Sequence, residues 1–189
     1  MNSVNVLMIS GSRNPQGQTA KAADASLDGA AGAGAQVETV FLPLRGMERC
    51  RQCEDNGWGK CRAEGWCVIE DDFAGLVQKI RAADMVVFAT PVYYSDLSES
   101  IRAFTDRLRR MCMHEAGKAG IEGKLAIGIC VAGGGGGGAP ACCASLERVL
   151  ARCGFDLVDV VPVRRQNLQW KLRVMKLIGG KSSGLVSTT

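Results

Sequence analysis

Residues 4–19 read Val4-Asn5-Val6-Leu7-Met8-Ile9-Ser10-Gly11-Ser12-Arg13-Asn14-Pro15-Gln16-Gly17-Gln18-Thr19. The first six form a short apolar run without strict alternation, as expected of a strand buried on both faces. The next ten supply glycine, hydroxyl and amide groups, and an alanine-rich stretch of helical character follows. Glycines let such a loop curl, its N–H and O–H groups turn inward, and the helix N-terminus adds positive potential, so the segment suits a phosphate. It is not a Walker A loop, because five residues separate Gly11 from Gly17 and Gln18 stands where lysine would be. A polar connection without a ligand is the competing reading.

The same grammar recurs along the chain. Met85–Thr90, Leu125–Ala132 and Phe155–Val163 are further buried-strand candidates, and Val37–Leu42 is a weaker one. Between them, Phe73, Leu76, Val77 and Ile80 keep a helical period, as do Leu97, Ile101, Phe104 and Leu108, then Leu146, Val149, Leu150 and Cys153. Asp71, Asp72, Ser95 and Ser98 are the candidate helix caps. Alternating strands and helices predict an α/β fold: a five-stranded parallel sheet with helices on both faces. For the strand order 2-1-3-4-5 the ligand crevice opens beyond the carboxyl ends of strands one and three. The loop there is Thr90-Pro91-Val92-Tyr93-Tyr94-Ser95, which holds both tyrosines of the chain and can border a planar ring. After strand four, Gly133 to Gly138 form six consecutive glycines that permit close backbone approach to a flat ligand.

Composition narrows the class. The 189 residues fit one globular domain, and 47% hydrophobic content excludes a disordered chain. Residues 160–189 carry six cations and no acid, which puts residues 1–159 at −2 against +4 for the whole. Those cations are spread among apolar residues and accompany no nucleic-acid-reading motif, so no nucleic-acid role is expected. Leu125 to Leu146 is free of charge for 22 residues, but the glycine run and Pro140 argue against a membrane helix. The N-terminus lacks the pattern of a signal peptide, and a cytoplasmic location is expected. In the tail, Leu168, Leu172 and Met175 form one stripe and Trp170, Val174 and Leu177 another. Residues 164–189 therefore read as a basic, amphipathic helical arm following a domain of residues 1–163, with a homodimer or homotetramer as its expected use.

Cys50, Cys53, Cys61 and Cys67 lie within 18 residues as C-x2-C-x7-C-x5-C, in a polar loop (residues 50–67) with Trp58 and Trp66 available to shield it. Thiolates converging from one short loop suit zinc or an iron-sulfur cluster, and free thiols are the third reading. Cys112, Cys130, Cys142, Cys143 and Cys153 fall on strand or helix patterns and read as small core residues. His114, the single histidine, reads as a surface or capping residue, since no nucleophile constellation accompanies it.

The order Gly11-Ser12-x4-Gly17-x-Thr19, the cysteine loop ending Cys67-Val68-Ile69-Glu70-Asp71-Asp72, then Pro91-Val92-Tyr93 and Asp106-Arg107, resembles the NAD(P)H-dependent FMN reductases of the flavodoxin-like superfamily. Within that group it is most similar to the iron-sulfur flavoproteins, over about residues 4–163. The resemblance implies FMN, with its phosphate at Ser10, Ser12, Arg13, Gln18 and Thr19. The isoalloxazine would lie against Pro91, Val92, Tyr93 and Tyr94 and the backbone of Gly133, Gly134 and Gly135. Asp106 and Arg107, charges on a helix, read as structural, with Arg107 a lesser candidate neighbour of the flavin. It implies a 4Fe-4S cluster on Cys50, Cys53, Cys61 and Cys67, although the family's compact motif has its third cysteine where Asn56 stands, and Gln18 replaces the usual Asn. The expected activity is hydride transfer from NAD(P)H to FMN and electron transfer to an acceptor. The alternatives are an electron carrier reduced by a protein such as ferredoxin, and a zinc-stapled flavodoxin-like binding module.

Overall fold

The computed structural model describes residues 3–186. Its strands are β1 (Asn5–Ser10), β2 (Gln36–Phe41), β3 (Met85–Tyr93), β4 (Asp96–Leu97), β5 (Leu125–Ala132) and β6 (Asp156–Arg164). The helices are α1 (Gln18–Gly32), α2 (Lys60–Ala63), α3 (Asp72–Ala82), α4 (Glu99–Met111), α5 (Glu115–Lys118), α6 (Ala139–Cys153) and α7 (Leu168–Val186). The fold is α/β and flavodoxin-like. Its sheet runs β2-β1-β3-β5-β6, all neighbours parallel, with β4 paired antiparallel to β3.

The expected count of five strands is thus corrected to six. Beyond Thr90, β3 continues through Pro91, Val92 and Tyr93 and turns back at Tyr94 and Ser95, so that Val92 faces Leu97 and Tyr93 faces Asp96. Tyr94 and Ser95 have φ of 48° and 64°. Left-handed conformation at both central residues is the hairpin turn that matches strand twist. Three of the residues read as loop are therefore strand.

Because side chains alternate along a strand, each buried strand feeds both faces. Leu7 and Ile9 pack with Val86, Phe88, Phe73, Phe104 and Leu146 beneath α3, α4 and α6. Val6 and Met8 pack with Val87, Ile129, Leu27, Leu168 and Met175 beneath α1 and α7. The segment 164–186, read as an arm, supplies α7 to this second layer; residues 187–189 lie outside the described ones. Leu168 and Met175 are buried, Leu172 and Val174 pack partly against the core, and Trp170 and Leu177 are exposed. Small residues bring α1 and α7 to backbone contact: a Cβ on Gly29 would collide with the Lys176 carbonyl, and one on Gly179 with the Ser26 carbonyl. Among the described residues no helix is long and apolar enough to cross a membrane.

Candidate functional site

Register sets Ser10 beside Ala89, and Pro91 beside Val131, so the segments after β1, β3 and β5 open at one edge of the sheet. Ser10 closes β1 and is buried; its hydroxyl accepts the Ser12 N–H at 3.2 Å. Gly11 donates its N–H to Ala89 O at 2.8 Å, while its carbonyl accepts Ser100 Oγ at 3.1 Å and Ser98 Oγ at 3.4 Å. Ser98 in turn donates its N–H to Thr90 Oγ1 at 3.1 Å. The first loop is thereby fixed to the start of α4. The Ser12 hydroxyl accepts Asn14 N–H at 3.2 Å and closes a tight turn, which leaves Arg13 exposed.

The helix that follows, α1, has Gly17 as its N-cap, which supplies no side-chain cap, and no acid lies in its first turn. The free N–H groups of that turn carry the positive end of the dipole. Thr19 is buried there, and Gln18 Oε1 is buried without a hydrogen-bond partner, turned toward the backbone of Gly133. A buried amide oxygen without a donor is costly and calls for an explanation. A Cβ on Gly134 or Gly135 would meet nothing within 4 Å, so that backbone is open. Gln166, just before α7, donates its Nε2 to Gly135 O at 3.1 Å and braces the glycine loop. On the other side Tyr94 is fully exposed and Tyr93 half-exposed, with Pro91 and Val92 partly buried behind them. Phosphate-loop and ring-wall candidates thus surround one edge, Arg13 being the candidate that points away from buried structure.

The cysteine loop leaves the same edge after β2. Cys50, Cys53, Cys61 and Cys67 all border one cavity, with Arg51, Lys60, Arg107 and Arg110 around it and Trp58 as a wall. Arg110 donates to Gly57 O at 2.6 Å and stacks over Trp58, 4.6 Å from the ring centre. Among the described residues no group of three or more His, Cys, Asp or Glu side chains could hold a metal ion. A tetrahedral zinc, with bonds near 2.3 Å, would require sulfurs about 3.8 Å apart. A four-iron cluster is a larger object and needs its ligands farther apart around a shared cavity. The four cysteines that border the cavity are a donor set of the type that zinc or an iron-sulfur cluster takes.

Arg107, read as a structural helix charge and only secondarily as a flavin neighbour, sits at the base of this loop and is 2% exposed. Its Nη1 reaches Asp71 Oδ2 at 2.6 Å and Glu48 O at 2.9 Å. Its Nη2 reaches Asp71 Oδ1 at 2.9 Å and Cys67 Sγ at 3.4 Å. Asp71 also accepts Phe73 N–H at 3.1 Å as the N-cap of α3, and Glu48 N–H at 2.8 Å. Burial opposes the charged carboxylate, but Arg107 and the two backbone donors hold its pKa below the ordinary range. The five remaining cysteines are buried in the core. His114 caps α5, its Nδ1 accepting Ala116 N–H at 3.1 Å.

A profile of the family described as NADPH-dependent FMN reductase matches residues 4–183. The chain belongs to that family. An iron-sulfur flavoprotein of Methanosarcina thermophila is 34% identical over 115 residues, 59% of this chain and 58% of its own length. The chain thus spans under two thirds of that relative. An NAD(P)H:quinone oxidoreductase from Methanothermobacter marburgensis superposes with TM-score 0.67 at 18% identity, covering 96% of each chain. A flavodoxin from the domain Archaea superposes with TM-score 0.62 at 13% identity over 97% of this chain and 99% of that one. In this NADPH-dependent FMN reductase family member, sequence reasoning missed the Thr90–Ser98–Gly11 brace, Gln166, and the Arg107–Asp71 clasp. The Asp71-Asp72 pair signalled only a cap, and an isolated Gln166 carried no signal at all.

Proposed function

We propose that the chain is an FMN-dependent oxidoreductase that accepts hydride from NAD(P)H and passes electrons to an acceptor. The observation that carries this reading is the buried, unpartnered Gln18 Oε1 beside an uncapped helix N-terminus, facing an open glycine backbone. FMN fits each part. Its phosphate would take the free N–H groups of α1 with the hydroxyls of Ser10, Ser12 and Thr19, and a ribityl hydroxyl would donate to Gln18. Pro91, Val92, Tyr93 and Tyr94 would wall its ring opposite Gly133, Gly134 and Gly135.

When bound, FMN supplies the hydride-accepting and electron-splitting chemistry. The chain's own residues orient it, and the Ser98–Gly11–Thr90 brace keeps the phosphate loop from shifting. No side-chain acid or base is required. Cys50, Cys53, Cys61 and Cys67 would hold a 4Fe-4S cluster, which would supply one-electron transfer to and from the flavin. The second reading is reduction by a protein partner such as ferredoxin instead of NAD(P)H. A homodimer or homotetramer is part of the proposal, with Trp170 and Leu177, exposed on α7, as candidate contacts.

The deciding experiment is anaerobic titration of the FMN-loaded protein. Bleaching of flavin absorbance by NADPH or NADH carries the first reading, and bleaching only by reduced ferredoxin carries the second. A protein that binds no FMN sinks both.

A further inference from the structure

Arg107 does two separable things. Through Asp71 and the carbonyl of Glu48 it ties together residues 48 and 71, the two ends of the cysteine loop. Through Nη2 it points a donor at the sulfur of Cys67, 3.4 Å away. Loop closure alone needs only the first. Its ring contact, 4.2 Å from the centre of Phe73, and its contact with Ile69 O fix the guanidinium plane, so the second donor is held at the sulfur rather than brushing past it. Arg110 borders the same cavity, yet its guanidinium is spent on Gly57 O and Trp58.

We propose that Arg107 is a positioning residue that raises the reduction potential of the cysteine-held group by hydrogen bonding to the Cys67 sulfur. This rests on the cluster reading given above. One-electron reduction adds a negative charge to a cluster without breaking a cysteine bond. A donor at a ligating sulfur, inside a buried ion-pair network, favours the more negative form. The Asp71 carboxylate holds the donor in place, so that the sulfur contact and the loop clasp depend on the same two side chains.

The test is a redox titration of anaerobically reconstituted full-length protein with dithionite, read by absorbance and by electron paramagnetic resonance, with iron and sulfide measured on every sample. Removing Arg107 alone strands Asp71 as a buried charge, so the informative variant is Arg107→Met with Asp71→Asn, in which Asn still caps α3. Iron and sulfide should match the wild type while the midpoint potential moves to a more negative value. Arg107→Lys, which keeps a cation near the sulfur, should restore most of the shift, and Arg110→Gln should produce a smaller one. An unchanged midpoint in the double variant overturns the proposal. Loss of iron from the double variant and from Arg107→Lys alike also overturns it, because Arg107 would then be a loop clasp and nothing more. Wild-type protein that takes up no iron or sulfide fails the cluster reading itself, before any variant is compared.

Discussion

Gly11 lies directly under Ser98, whose hydroxyl a Cβ at position 11 would collide with, while Ile101 Cγ1 would stand 2.6 Å away. Both obstacles belong to the start of α4, which the Gly11 carbonyl also holds by hydrogen bonds. Gly11→Ala should therefore push the phosphate loop off α4, at a cost of about 1–3 kcal/mol typical of overpacking. Thermal unfolding should show a lower Tm and FMN titration a weaker Kd. A variant indistinguishable from wild type in both would mean that the loop yields without consequence.

Ser12 and Thr19, both buried beside the start of α1, are the proposed hydroxyl donors to the phosphate. Replacing both by alanine should weaken FMN binding by about 1–3 kcal/mol, roughly 5- to 150-fold in Kd, with backbone donors compensating in part. Equal affinity in fluorescence titration would place the phosphate elsewhere.

In the helical pair, Gly29 and Gly32 differ sharply. A Cβ on Gly29 would collide with the Lys176 carbonyl oxygen and approach its carbon to 2.8 Å, whereas one on Gly32 meets nothing within 4 Å. Gly29→Ala should destabilise by at least about 1–3 kcal/mol. Gly32→Ala should be neutral or stabilising by up to about 1 kcal/mol. Denaturant midpoints of the two variants, compared side by side, check the close approach of α1 and α7.

Acid should act through Asp71. Its folded-state pKa lies below the usual value of about 3.9, so its stabilising contribution is present above that pH and is lost as pH falls through the lowered value. Asp71→Asn strands Arg107 and should remove about 3–5 kcal/mol at neutral pH. It should also flatten the dependence of stability on pH below about 4. Urea unfolding at pH 7, 5 and 3 separates the two effects, and parallel curves for wild type and variant would clear Asp71 of any part in acid sensitivity.

For the metal site, anaerobic wild-type protein should carry about four iron and four sulfide per chain. Cys61→Ser should lose them, while Cys112→Ser should keep them, since Cys112 is buried and faces the Gly117 carbonyl at 3.8 Å. Equal metal content in wild type and Cys61→Ser would mean that Cys61 does not stand in for the family's third cysteine.

The layered fold was legible because burial on two faces forces uninterrupted apolar strands, and Leu125–Ala132 matches β5 residue for residue. The β3–β4 hairpin was not, because its turn residues Tyr94 and Ser95 lack the Asn-Gly type of signal that left-handed turns usually carry. The tail's two apolar stripes were visible, but which one turned inward depended on Gly29, Gly179 and Ser26, whose smallness reveals nothing until the helices meet. The cysteines announced themselves by spacing. Arg107, 40 residues beyond Cys67 and on a helix thick with other arginines, had no such marker.

The docking of α7 on α1 also constrains how the chain matures. Helix α1 precedes four of the five parallel strands, and α7 is made after all of them. Helix α1 itself packs over Val6, Met8 and Met85, but its own small-residue side around Ser26 and Gly29 waits for α7 until the whole sheet has been translated. During that interval the growing polypeptide holds α1 without its outer partner, an incomplete packing of the kind that chaperones guard. Growth temperature and translation speed should accordingly govern the yield of soluble protein more strongly than the stability of the finished fold does.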